Sequence, residues 1–282
     1  MPFHWTTEDG ESREALVWPS QQPTRAILAC LHGMSGAAEQ FEPLVECGQG
    51  LDVYSIDLRG QGNDGQITRR GTLLDVATQH SDVRAFLSAI RAANPGYPIF
   101  LVGESMGSLL AASYAASHPE NGLQGLILSV PVTAMRRPVP KIAANLVRFL
   151  ATTFPTLRCR PSLFVNGKTL TPQLTRNTEY QEAMRSKPHY ISDFTFRFLA
   201  ELGDLISSSH EYAARLQTPS LTLAAGQDCF VTASQISEWH ERIPSTDKTL
   251  HIYPEAYHLL WQDWDRDRVL NDIGRWIESR ID

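Results

Sequence analysis

Short apolar runs alternating with helical patterns predict an α/β fold: a mostly parallel central sheet with helices on both faces. Two observations carry this. Six runs over 282 residues read as strands, at Arg25 to Leu31, Leu51 to Ile56, Ile99 to Val102, Gly125 to Val130, Ser220 to Ala225 and Lys248 to Tyr253. The central run, Ile99 to Val102, is continuously apolar, too short for a helix, and leads through Gly103-Glu104-Ser105-Met106-Gly107 into the Ala-rich segment Leu109 to Ser117. A strand apolar at every position is buried on both faces, as parallel sheets require.

Taken in order, Phe3 to Thr7 and Glu14 to Trp18 flank the turn signal Asp9-Gly10 and predict an antiparallel ribbon at the sheet's edge. Arg25 to Leu31 ends in His32-Gly33-Met34-Ser35-Gly36, and Leu51 to Ile56 in Asp57-Leu58-Arg59-Gly60-Gln61-Gly62. Leu74 to Ala93 has helical period, with Val76, Val83, Phe86, Leu87 and Ile90 on one face. After Gly125 to Val130 the alternation stops. It resumes at Ser220, with further helices expected at Ala233 to Arg242 and Asp265 to Arg280.

The break, 132–202, predicts an inserted helical cap on a core formed by 1–131 and 203–282. It holds eleven Lys or Arg against four acids, Glu179, Glu182, Asp193 and Glu201, in a chain whose formal charge is −6. Within it Ile142, Leu146, Val147, Leu150 and Phe154 share a helical face. That face is expected to pack on the core or line a pocket, with a lipid surface as the other reading.

Composition excludes several classes. A net negative chain is no general nucleic-acid binder. Cys30, Cys47, Cys159 and Cys229 lack metal-ligand or redox spacing; Cys30 and Cys229 flank apolar runs and read as buried thiols, so no disulfide is expected. No stretch is apolar enough to span a bilayer, and Met1-Pro2-Phe3-His4-Trp5 opens no basic-then-apolar leader, so a cytoplasmic location is expected. No cofactor or metal is called for.

Gly-x-Ser-x-Gly between a strand and a helix is a pattern with a mechanism. A serine hydroxyl is a poor nucleophile until a base takes its proton. A sharp strand-to-helix turn lifts Ser105 to the sheet's carboxyl edge, where a base can reach it, and aims the Met106 N–H at an attacked oxygen. The remaining groups should follow in the order acid, then histidine, each just past a strand. Asp228 follows Leu221 to Ala225, and His258 follows Lys248 to Tyr253. His251 lies within a strand, His240 in a helix and His118 just after one, so His258 is the expected base and Asp228 its partner. The loop after the third strand should give the second oxyanion donor, the Met34 N–H, with Gly33 letting the backbone approach. His32 is read as a structural tie for that loop. Gly33, Glu104, Leu146 and Leu150 are the candidate substrate-binding residues.

At these residues the chain resembles the α/β-hydrolase superfamily, and within it the monoacylglycerol lipase and lysophospholipase group, which overlaps serine aminopeptidase-like sequences. The resemblance rests on Leu31-His32-Gly33-Met34, Asp57 to Gly62, Gly103 to Gly107, Ala225-Gly226-Gln227-Asp228 and His258. Arg176-Asn177-Thr178-Glu179-Tyr180 is similar to that group's return from cap to core. Ser108, Gln61, Asn63 and Cys229 depart from its pattern. The resemblance implies hydrolysis of a single-acyl-chain carboxylic ester, such as a monoacylglycerol or lysophospholipid, through an acyl-Ser105 intermediate, without metal or organic cofactor. The same triad serves a thioesterase, an amidase or an acyltransferase, and a non-catalytic ligand-binding protein is a further reading. Acyl-lipid substrate and, through the basic cap, anionic lipid are the expected partners; oligomeric state is left open.

Overall fold

The computed structural model of the chain describes residues 2–72, 74–161 and 173–281. An eight-stranded sheet runs through it in the order β1-β2-β4-β3-β5-β6-β9-β10. These strands are β1 (Pro2–Thr6), β2 (Ser12–Trp18), β3 (Ala26–Leu31), β4 (Leu51–Ile56), β5 (Ile99–Glu104), β6 (Gly125–Ser129), β9 (Ser220–Ala225) and β10 (Lys248–Tyr253). The first ribbon pairs antiparallel, as does β2 with β4; every pairing from β4 to β10 is parallel. Strands β3 to β6 and β9 are buried at every position, as strands covered on both faces must be.

Helices cover both faces. On one, Ile27, Leu31, Leu101 and Leu128 meet Val83, Phe86 and Leu87 of α1 (Val76–Ala93) and Leu109 and Leu110 of α2 (Met106–Ser117). On the other, Leu28, Val53, Phe100 and Ile127 meet Phe41 and Leu44 of a 3₁₀ segment, Ala38–Glu46, and Leu270, Ile273 and Ile277 of α8 (Arg266–Glu278). The 3₁₀ segment has no counterpart in the sequence reading; Pro43 inside it spoils a helical pattern.

Between β6 and β9 the described residues add no strand to this sheet. They form α3 (Lys141–Thr153), a short ribbon of β7 (Arg158–Cys159) and β8 (Phe194–Thr195), α4 (Thr178–Arg185), α5 (Phe196–Ser207) and α6 (Ser209–Ala213). Helix α7 (Ala233–Glu241) follows β9. Part of the expected insertion, 162–172 with Lys168, lies outside the described residues. Helix α5 runs through the boundary drawn at 202, and its Phe198 and Leu205 join the main core. One expectation needs correcting. The apolar face of α3 is only partly packed: Val147 and Leu150 are half-buried, but Ile142 is 84% exposed, Leu146 54% and Phe154 52%. The helix instead packs on α5, and Ala151 is its one buried residue.

Candidate active site

Strand register decides where the site forms. Leu31 lies opposite Gly103, and Glu104 opposite Ser129. Ser129 lies opposite Leu223, and Ala225 opposite Tyr253. The loops that leave β3, β5, β9 and β10 therefore emerge along one edge. They carry Met34, Ser105, Asp228 and His258.

Ser105 is the single residue from Ile99 to Ala115 that is not buried. Its backbone sits at φ 56°, ψ −115°, which costs a non-glycine residue on the order of 1–3 kcal/mol. The turn is clamped. Ser105 N–H donates to the Ser129 carbonyl at 2.8 Å. The buried Ser108 hydroxyl lies 2.8 Å from both the Gly103 and Ser129 carbonyls and braces the turn. A Cβ on Gly103 would fall 2.5 Å from the Gly107 backbone, and one on Gly107 2.0 Å from the Leu31 carbonyl oxygen. Only glycine permits that approach.

Asp228 and His258 are delivered together. The loops after β9 and β10 are zipped by Gly226 N–H to the Tyr253 carbonyl (2.8 Å) and Gln227 N–H to the Ala256 carbonyl (3.0 Å). His258 Nδ1–H donates to Asp228 Oδ2 at 2.5 Å. Asp228 Oδ1 accepts the N–H groups of Phe230 (2.6 Å) and Val231 (3.0 Å), so both carboxylate oxygens are fixed. This bond sets the tautomer and leaves Nε2 as the free basic nitrogen. Phe230 packs edge-on against the imidazole with ring centroids 4.9 Å apart. Burial alone would lower the pKa of His258, but Asp228, with a smaller contribution from Glu104, turns the net shift upward. The Ser105 hydroxyl makes no hydrogen bond to another described residue, a common condition in sites without substrate.

The His258 loop is stitched to the segment that precedes α4. Leu259 N–H donates to the Leu174 carbonyl at 2.8 Å. The buried Asp263 accepts Arg176 Nε at 2.9 Å and Tyr257 N–H at 2.7 Å. Burial would raise the Asp263 pKa, but these donors hold it below the ordinary carboxylate value. Arg176 is thus a brace for the His258 loop.

The loop after β3 brings its backbone close to Ser105. A methyl on Gly33 would lie 3.0 Å from Ser105 Cβ and 3.6 Å from its Oγ. The N–H groups of Met34 and of Met106, the latter first in α2, have no acceptor among the described residues. Fully buried His32 holds this loop: its Nδ1–H donates to the Gly33 carbonyl (2.7 Å), and its Nε2 accepts Leu58 N–H (3.0 Å). Burial lowers its pKa, and this bonding pattern is that of a neutral imidazole. Gln61 Oε1 accepts Ser35 N–H at 3.0 Å. Arg13 donates to the Asp57 carbonyl at 2.8 Å, and Arg59 pairs with Asp82 and Asp9 behind it. The Asp57 to Gly62 motif is therefore scaffolding for the loop at Met34. The motif was visible in the sequence; its role appears only once β3 and β4 pair.

Of the other candidates, Glu104 is buried beside the nucleophile, Leu146 is 54% exposed and Leu150 half-buried on α3. Among the described residues no three His, Cys, Asp or Glu cluster as metal ligands. All four cysteines are free thiols; Cys229 is half-buried rather than buried.

A nucleophile elbow on a mostly parallel sheet, with histidine and aspartate on the last two strand ends, defines a serine hydrolase of the α/β-hydrolase fold. The chain belongs to the family described as serine aminopeptidase, S33, whose model matches residues 22–265. It is 26% identical over 268 residues to phospholipase YtpA of Bacillus subtilis, covering 94% of this chain and 99% of that one. It is 26% identical over 288 residues to Homo sapiens monoglyceride lipase, covering 98% and 90%. Among solved structures it resembles monoacylglycerol lipase of Paleococcus ferrophilus (TM-score 0.79, 22% identity, 95% and 99% covered). It also resembles a soluble variant of Saccharomyces cerevisiae monoglyceride lipase bound to a substrate analog (TM-score 0.81, 22% identity, 99% and 95% covered).

If His32 fixes the Met34 loop, His32→Ala leaves Leu58 N–H without its buried acceptor, costing about 1–3 kcal/mol of stability. It also displaces a donor worth about 100-fold in kcat, with KM nearly unchanged. Chemical denaturation and p-nitrophenyl ester kinetics measure both.

Proposed function

We propose that the protein hydrolyses a carboxylic ester with a single acyl chain, such as a monoacylglycerol or lysophospholipid, by way of an acyl-Ser105 intermediate. The observation that carries this reading is the site's division of labour: an accessible serine on a strained elbow, and a buried histidine locked to a buried aspartate. His258 Nε2 accepts the Ser105 proton as Oγ attacks the acyl carbonyl and later gives it to the departing alcohol oxygen. Asp228 holds the tautomer and stabilises the imidazolium. The N–H groups of Met34 and Met106 receive the negative oxygen, with the dipole of α2 behind them. Water then repeats the sequence on the acyl-enzyme and frees the acid. The names borne by the relatives, phospholipase and monoglyceride lipase, support an acyl lipid as substrate. The family's description names a peptidase, which makes an amide substrate the second reading.

The segment 132–202 serves in this account as a cap through which lipid arrives. Its α3 presents Ile142, Leu146 and Phe149, each more than half exposed. Arg136, Arg137, Lys141 and Arg148 lie on or just before the same helix. Exposed apolar side chains on a segment rich in basic residues suit an anionic lipid surface, although Arg148 pairs with Asp204 and Arg136 with the Asp228 carbonyl. Among the described residues no helix is long and apolar enough to cross a membrane.

Ser105→Ala and His258→Ala should each cost on the order of 10⁴–10⁶-fold in kcat with the fold retained. The assay is hydrolysis of graded p-nitrophenyl esters beside monoacylglycerol, lysophosphatidylcholine and an aminoacyl amide. Wild-type rates in His258→Ala would refute the assignment of the base, and amide turnover above ester turnover would favour the second reading. For the cap, raising salt from about 0.01 M to 1 M shortens the screening length from about 30 Å to 3 Å. Activity on anionic vesicles should then fall several-fold while a soluble neutral ester is unaffected. Equal responses would remove the basic cap from lipid recognition.

A further inference from the structure

Glu104 stands immediately before the nucleophile, yet nothing in the acyl-transfer sequence needs a carboxyl there. It is 1% exposed. Its Oε1 is buried with no hydrogen-bond partner, and no described residue donates to its carboxyl. Alternation along β5 places Glu104 on the face of Phe100 and Val102, where Val130, Ala256 and Trp261 also pack. Ala256 is two residues before His258 on the loop that delivers the imidazole. A carboxyl denied water and donors must keep its proton or find a cation. His258 is the cation-forming group whose charge acts on it, and the carboxyl in turn helps hold the Tyr180 phenol of α4 in its neutral form.

We propose that Glu104 is a positioning residue that acts through His258: a second acidic group, opposed to Asp228, that sets the pH at which the imidazole becomes a free base. This rests on the reading of His258 as the base. Among the described residues, these titratable and charged groups bear on the pair. Asp228 bonds Nδ1, the Cys229 thiol adjoins Asp228, and the Arg136 guanidinium holds the Asp228 carbonyl. Tyr180 carries a weaker influence from Glu39.

The direction follows from the charges. Burial raises the Glu104 pKa to about 7, less than it would without His258 nearby. In return Glu104 adds to the upward pull of Asp228 on His258. The two therefore titrate as a coupled pair, each favouring the other's charged form. An ionised Glu104 favours the imidazolium that forms during attack. In the free enzyme it delays loss of the His258 proton to higher pH. A neutral side chain of the same shape must let that proton leave at lower pH.

The test is the second-order rate of Ser105 modification by an uncharged fluorophosphonate, followed from about pH 5 to pH 9. In Glu104→Gln the acid limb should move to lower pH by about half a unit or more. The alkaline plateau should fall a few-fold, and Glu104→Asp should return the limb toward wild type. A Glu104→Gln profile that superimposes on wild type, or moves to higher pH, overturns the proposal while leaving the triad standing. Wild-type labelling in His258→Ala would instead overturn the base assignment beneath it. If Glu104→Gln fails to fold, infrared titration of the wild type decides. A protonated-carboxyl stretch should disappear as pH rises through about 7. No such loss would overturn the proposal equally.

Discussion

A serine at φ 56° stays there because its neighbours leave it no other conformation. The end of β3, the end of β5 and the first turn of α2 meet within a space that admits no Cβ at Gly103 or Gly107. Ser129 and Ser108 tie the turn from the other side. Relaxing Ser105 would break those bonds and open the packing of α2 against β3. The strain, of order 1–3 kcal/mol, is therefore held by a core of far larger stabilisation. Everything chemical follows from this constraint. It exposes the hydroxyl, frees the Met106 N–H and brings Gly33 against Ser105.

The charges around the elbow are arranged in opposite senses for two histidines. His32 and His258 are both buried, and burial disfavours the charged form of each. His32 spends its two nitrogens on a carbonyl and a backbone N–H, a pattern available only to the neutral ring. His258 meets a carboxylate at Nδ1 and leaves Nε2 open, the condition for gaining and losing a proton. Two residues of one type are thus set apart by what their nitrogens meet: His32 is a strut, and His258 keeps one nitrogen open, as the proposed base requires.

Much of this was legible in the sequence because it is local. Short apolar runs and the Asp9-Gly10 turn signal marked the strands, and the Gly-x-Ser-x-Gly turn marked the elbow with its two flanks. The chain order Ser105, Asp228, His258, each following a strand, needed no tertiary information. What was not legible depends on long-range pairing. The strand at Ala26–Leu31 gives no hint that His32 will bond Leu58, nor does Asp263 reveal that Arg176 will brace the loop before it. The face of α3 misled for a physical reason. An amphipathic period says that a helix has an apolar side, but not that a partner covers it. Here α5 meets the side that buries Ala151. The sequence pattern also could not separate Glu104 from an ordinary strand-end residue; its isolation from donors exists only in the folded packing.

We propose that four loops leaving the carboxyl ends of β3, β5, β9 and β10 bring one hydroxyl, one imidazole and two N–H groups to a common point. The most direct measurement is a crystal structure of the protein after reaction with a fluorophosphonate. The account predicts phosphorus on Ser105 Oγ and its phosphonyl oxygen about 2.7–3.1 Å from the N–H groups of Met34 and Met106. His258 Nε2 should lie within hydrogen-bond reach of the adduct. An adduct on another residue, or a phosphonyl oxygen turned away from those two N–H groups, would contradict it.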